Sequence, residues 1–319
     1  MLPEIYLHEH HDFSDLIRVV AGERRIDPYL AEKDYWLAHC LYGLERAGYD
    51  FQLKGGTSLS KGYGIIHRFS EDIDIHIVPP EGMQVRTSKN HDKERDRQSR
   101  KDFYDYLSTN IRIPGIVKVE RDTMFDAFPK YFSGGIRLYY EAKFPSDGSA
   151  KEGVLLEVGF DDIIPNQPMD ISSWALDFAR AKHFEIIDNR ALQIRCYHPG
   201  YTFVEKLQAI VTKYRRHQDS SDKFPPNFMR HYYDVFCLLH NEQVQAFIGT
   251  AEYNEHKKRR FPVIDLQYPL GENDALILAE DARRTLFRKE YERRAALYYQ
   301  GQPPFDEVMA VLQKNLSRL

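Results

Sequence analysis

Apolar residues recur at helical spacing through "DPYLAEKDYWLAHCLYGLERAG", which predicts a helix with Asp27 and Pro28 as cap and first turn and Gly48 as the stop. The pattern then changes. "YDFQLKGG" reads as a short strand ending at a glycine pair, "TSLSKGYGII" as a helix or irregular turn, and "DIDIHIV" as a strand by strict alternation. The charged stretch from Gly82 to Asn110 predicts a helix after a loose connection. "GIVKVE", "GGIRLYYEAKF" and "GVLLEVGF" read as strands, "DDIIPNQPMD" as a loop because of its two prolines, and "ALQIRCYHP" as the end of a further strand.

Beyond Cys196 the period is helical. "TFVEKLQAIVTKYRRH" and "NFMRHYYDVFCLLHN" predict helices on either side of the polar loop "QDSSDKFPP", and two more are expected in "DALILAEDARRTLFRKEYERRAALYY" and "FDEVMAVLQKNLSRL". The expectation is an α+β chain, with a mixed-sheet domain over residues 1–195 and a helical bundle over 196–319 that completes an active-site cleft. No repeat of about 20–50 residues is visible, so a solenoid is not expected.

Composition adds limits. With 319 residues, 42% of them apolar, the chain can bury a full core, and 16 prolines and 18 glycines are too few for disorder or low complexity. No apolar run approaches the ~18 residues of a membrane span, and "MLPEIYLHEHHDF" lacks signal-peptide features, so a cytoplasmic protein without membrane partners is expected. Cys40, Cys196 and Cys237 are too scattered for a disulfide framework or a metal knuckle. A net charge of −4 gives no bulk attraction to nucleic acid, which leaves local patches such as Lys89–Lys101 and "HKKRRF", both also readable as solvated surface.

The candidate chemistry lies in "KGGTSLSKGYGIIHRFSEDIDI". On a strand, residues two apart share a face, so Asp72 and Asp74 point one way while Ile73, Ile75 and Ile77 point into the core. Two neighbouring carboxylates repel unless a cation lies between them, and hard oxygen ligands suit Mg²⁺ or Mn²⁺. Gly55 and Gly56 let the backbone approach an anion closely, and Thr57 and Ser58 add hydroxyl donors, an arrangement suited to a nucleoside triphosphate. Glu157, inside a strand, is the leading third metal ligand, ahead of Asp161 and Asp162 in the following loop.

With these residues in view, the chain resembles the nucleotidyltransferase superfamily, whose mark is a Gly-Gly or Gly-Ser turn followed by Asp-x-Asp on the next strand. More closely, it resembles the AbiEii/AbiGii toxins of type IV toxin–antitoxin and abortive-infection systems. "AEKDYWL" from Ala31, "FVEKLQAI" from Phe203 and "RHYYDVFCLL" from Arg230 continue the likeness over residues 28 to 240, leaving the tail after Asn241 uncovered. The resemblance implies a nucleotidyltransferase-type mixed sheet with flanking helices. It also implies Asp72 and Asp74 as metal ligands, Ser58 as the phosphate-gripping hydroxyl, Lys206 on the phosphates and Asp234 as an essential acid. A cognate antitoxin, and transfer of a nucleotide to an RNA acceptor such as the tRNA 3′ end, come from the same likeness.

Local readings accompany it. Thr202 and Glu205 form a capping-box pattern that would put Lys206 in the first turn of its helix. Arg230 and Asp234 stand one turn apart, readable as a surface ion pair, or Asp234 orients Lys206. Arg68 either binds phosphate or pairs with Glu71, and Lys54 and Lys33 are further cations for the same site. His8, His10 and His11 lack the spacing of a metal motif and lie in a terminal segment. The rival readings are a small-molecule, antibiotic-type nucleotidyltransferase and a nucleotide- or RNA-binding module without catalysis.

Overall fold

The computed structural model describes residues 5–88, 90–145, 152–161, 163–219, 224–293 and 295–319. Lys89, Asp162 and residues 220–223 of the polar loop lie outside the described residues. The chain divides into two compact units, one of residues up to 63 with 69–197, the other of 64–68 with 198–319.

The first unit opens with helices α1 (Phe13–Arg24) and α2 (Pro28–Arg46). The Asp27 side chain caps α2 by accepting from the Tyr29 amide at 2.8 Å, and Pro28 at the first position needs no amide partner. Strand β1 (Phe51–Lys54) runs into the one-turn helix α3 (Gly55–Thr57), which continues as a π-turn over Ser58–Gly62. Then come β2 (Asp72–Ile77), α4 (Glu94–Asn110), β3 (Ile116–Asp122), β4 (Ser133–Tyr140) and β5 (Val154–Gly159), followed by β6 (Asn166–Ile171), α5 (Trp174–Ala181) and β7 (Ala191–Tyr197).

All seven strands join one mixed sheet in the order β3-β4-β5-β2-β1-β7-β6. β2 lies antiparallel to β1 and parallel to β5. Ile73 pairs with Leu156 and Ile75 with Val158, and all four are fully buried on the face opposite the acidic residues. On that apolar face the Tyr104 ring of α4 packs against Gly134, where a Cβ would come within 2.7 Å of it.

One local expectation fails here. "DDIIPNQPMD" was expected as a loop, yet Asn166–Ile171 is a strand that contains Pro168. β6 is a sheet edge, where a residue without an N–H can face away from its only neighbour. Helices α1 and α5 have no counterpart in the sequence reading. α5 is eight residues long, capped by Ser173 Oγ accepting from the Leu176 amide, and too short for its period to stand out.

The second unit comprises α6 (Pro199–Asp219), α7 (Arg230–Leu239), α8 (Glu242–Phe247), α9 (Ala251–Arg260), α10 (Asp274–Ile277), α11 (Asp281–Glu292) and α12 (Phe305–Asn315). Phe228, Tyr232, Phe287 and Phe305 form its buried aromatic centre. The helix expected over "DALILAEDARRTLFRKEYERRAALYY" is broken after α10, where Leu278 adopts a left-handed conformation (φ 48°). α6 begins at Pro199 rather than at Thr202. Thr202 therefore sits inside the first turn, Glu205 pairs with Arg260 at 3.2 Å, and Lys206 lies in the second turn. Proline preorganised at a helix start outweighs the capping pattern three residues on.

Candidate active site

The sheet register sets the acidic residues. Asp74 stands opposite Lys54 on one side and Glu157 on the other, and Asp72 lies two residues along the same face. Neighbouring strands are about 4.8 Å apart, so Asp74 and Glu157 are adjacent side chains in a single row. Asp72, Asp74 and Glu157 are all half-buried, in alternation with the buried Ile73, Ile75 and Ile77. Lys54 reaches past the row to Asp161, Nζ to Oδ2 3.0 Å, and the ring of His76 is held by the Asp161 carbonyl at 2.9 Å.

Gly55 follows directly on Lys54 with φ +68°, and a Cβ built there would fall 2.0 Å from Asp74 Oδ2. Only glycine permits both this conformation and this approach. The turn therefore brings backbone against the carboxylate row.

The hydroxyls of the turn do something else. Thr57 and Ser58 are fully buried, and Thr57 Oγ1 donates to the Asp72 carbonyl at 2.6 Å, tying the turn to the first residue of β2. Ser58 lies against Cys196, whose thiol is pushed up to about 12 by burial with Ser58 pulling it down. The sequence reading has both hydroxyls as donors to phosphate; here Thr57 is engaged by the Asp72 carbonyl, while the buried Ser58 Oγ has no hydrogen-bond partner among the described residues.

The charged residues of "AEKDYWL" are buried as well. Glu32 accepts from the Lys143 amide at 2.9 Å and the Phe144 amide at 2.9 Å, and Asp34 binds Lys61 and accepts from the Trp174 amide at 2.8 Å. Lys33 is 1% exposed; burial pushes its ammonium pKa down, opposed by the negative charges of Glu71 and Asp72. Successive helix positions differ by about 100°, so Glu32 and Asp34 anchor different neighbours.

In the second unit, Asp234 on α7 is fully buried and held by two cations. Arg68 donates Nε to Oδ1 at 2.6 Å and Nη2 to Oδ2 at 2.7 Å, while Lys206 Nζ lies 3.0 Å from Oδ2. Burial alone would raise the carboxyl pKa, but the Arg68 guanidinium and the Lys206 ammonium outweigh it and hold it well below the usual carboxylate range. The sequence reading offered Arg68 to phosphate or Glu71 and Arg230 to Asp234. The bidentate partner of Asp234 is instead Arg68, 166 residues away, a pairing with no local signal. Lys206 shares the same carboxylate.

Among the histidines, His8 packs against Trp36 with ring centres 4.6 Å apart, and burial lowers its pKa to about 3. The ligand atoms of His10, His11 and Asp12 lie within 4.8 Å of one another, but the three are consecutive residues and His11 is exposed. Among the described residues, no helix is long and apolar enough to cross a membrane.

A search of curated proteins finds no match. The crystal structure of an antigenic nucleotidyltransferase-like protein from Paracoccidioides brasiliensis aligns with 72% of this chain and 94% of its own, at 11% identity and a TM-score of 0.33. The family model described as nucleotidyl transferase AbiEii toxin, type IV TA system, matches residues 39–311. That span leaves "AEKDYWL" outside and takes in most of the tail that the sequence resemblance had left uncovered. The chain belongs to the AbiEii family of nucleotidyl transferase toxins of type IV toxin–antitoxin systems.

Proposed function

We propose that this chain is the toxin of such a system, and that it moves a nucleotide from a nucleoside triphosphate to an RNA acceptor, the 3′ end of tRNA, blocking translation in the cytoplasm until a cognate antitoxin neutralises it. The observation that carries this reading is the in-register placement of Asp74 beside Glu157, with Asp72 on the same face and the Gly55 backbone against Asp74. Three carboxylates on one sheet face form a hard-oxygen donor set that fits Mg²⁺ or Mn²⁺. A divalent cation held there would neutralise charge on the reacting phosphates.

The remaining roles belong to the chain's own groups. The Gly55–Gly56 turn admits phosphate oxygens close to the backbone. Lys206, fixed by Asp234, binds the phosphates as a point charge. The acceptor hydroxyl attacks the α-phosphorus in line, giving its proton to a carboxylate of the row, and pyrophosphate leaves. Exposed Lys258 and Arg259 at the end of α9 suit contact with an RNA backbone.

The test is incubation with each α-³²P-labelled triphosphate, Mg²⁺ and total tRNA. Label is expected at the tRNA 3′ end, and Asp72→Asn and Asp74→Asn are each expected to remain folded and lose transfer by about 10³-fold or more. Undiminished transfer by both variants removes the mechanism. Label on a small metabolite without RNA identifies the antibiotic-type activity, and nucleotide binding without turnover identifies a binding module.

A further inference from the structure

Helix α6 carries a second lysine, Lys213, on the same face as Lys206. Lys206 and Lys213 are seven residues apart on one helix, close to two full turns, so both side chains leave the same face about 10 Å apart along the axis. Their tips land on α7. Lys206 reaches Asp234 at 3.0 Å, and Lys213 Nζ lies 3.0 Å from His231 Nε2. His231 and Asp234 are three residues apart, a spacing that puts their Cβ atoms about 5–6 Å from each other. Two ammonium groups that start two turns apart thus contact residues one turn apart on α7.

The surroundings of this pair are rich in donors. A lysine ammonium only donates, so His231 Nε2 accepts from Lys213 and the ring proton sits on Nδ1. Among the described residues, His231 Nδ1 is buried without a hydrogen-bond partner, and so is Arg230 Nε on the preceding residue. Asp234 is one carboxylate serving both Arg68 and Lys206. His231 stays neutral because burial, and then Lys206, Lys213 and Arg230, hold its pKa well below the usual histidine value against the opposing pull of Asp234. Neutral imidazole is what lets it receive the Lys213 proton donor. Lys213 and Lys206 are both only half-buried. A site of this kind complements an anion carrying more than one phosphate.

We propose that Lys213, positioned by His231, is a second phosphate-binding lysine, and that Lys206 and Lys213 together grip the two terminal phosphates of the triphosphate and then the pyrophosphate product. The proposal rests on the nucleotidyl-transfer reading and adds two residues to which the sequence analysis gave no role. His231 is a positioning residue, since it acts through Lys213.

The experiment is calorimetric titration of the full chain with magnesium pyrophosphate, a non-hydrolysable nucleoside triphosphate and a nucleoside monophosphate. Lys213→Met keeps the aliphatic stem and removes the charge. It is expected to weaken pyrophosphate and triphosphate binding about tenfold while leaving the monophosphate unchanged, the loss of one charge-assisted contact. His231→Leu is expected to reproduce that loss, and His231→Gln, which restores an acceptor oxygen, to recover most of it. Thermal melts identify any histidine variant that fails to fold, in which case Lys213→Met alone decides. Pyrophosphate binding by Lys213→Met within twofold of wild type overturns the clamp, and leaves the transfer reading intact if wild-type protein labels RNA. Wild-type protein that binds pyrophosphate through Lys213 but transfers no nucleotide keeps the clamp and removes the transfer reading. Wild-type protein that binds neither polyphosphate overturns both.

Discussion

Replacing Asp234 with alanine isolates the buried network that holds Lys206. The carboxylate is fully buried and Arg68 is 4% exposed, so neither charge has water to fall back on once the other is gone. Two guanidinium contacts of 2.6 and 2.7 Å and an ammonium at 3.0 Å would be lost together. Removing one member of a buried ion pair costs about 3–5 kcal/mol, chiefly from the stranded partner. At roughly 2–4 °C per kcal/mol for a chain of this class, Asp234→Ala should melt about 6–20 °C below wild type. Lys206→Met leaves the Arg68–Asp234 pair standing and should melt within a few degrees of wild type while losing activity. The double variant Arg68→Met with Asp234→Leu should regain most of the stability, because no unpaired charge remains buried. The pH dependence has a defined sign. The folded pKa of Asp234 lies below its unfolded value, so this contribution is complete above about pH 4 and is lost as the pH falls toward the folded pKa. Scanning calorimetry of the four proteins at pH 7, with wild type repeated at pH 3, measures all of this. An Asp234→Ala melt within 2 °C of wild type, or a double variant no better than the single one, would refute the reasoning.

Gly55→Ala strains a residue at φ +68° and places its Cβ 2.0 Å from Asp74 Oδ2, so Asp74 must swing away. The variant should fold, at a cost of about 1 kcal/mol or more, and lose roughly 100-fold in transfer, as a misplaced reacting group does; wild-type turnover with Ala at this position would contradict the close approach. His8 and His39 should make stability fall with acidification. Burial lowers their folded pKa values to about 3 and about 4, below an unfolded value near 6.5, so the unfolded chain binds more protons between those limits. Urea midpoints should drop between pH 6.5 and 4, and His8→Phe, which keeps the ring against Trp36, should flatten the decline. Equal midpoints at pH 7 and pH 4.5 would rule it out.

What the sequence by itself determined is local. Alternation in "DIDIHIV" put Asp72 and Asp74 on one face and three isoleucines on the other, because a strand's side chains alternate whatever surrounds it. The same holds for the cap and first turn of α2 and for Gly55, whose place between strand and turn asks for a residue without a Cβ. Tertiary structure decided which strand lies beside β2, and so that Glu157 stands next to Asp74. It also decided that Thr57 binds the Asp72 carbonyl, that Pro168 is tolerated because β6 is an edge, and that Arg68 reaches Asp234 across 166 residues. A periodic pattern records only which face of an element is buried. Which partner fills that burial, and which buried charge meets its opposite, depends on contacts between segments far apart in the chain, where residue spacing carries no signal.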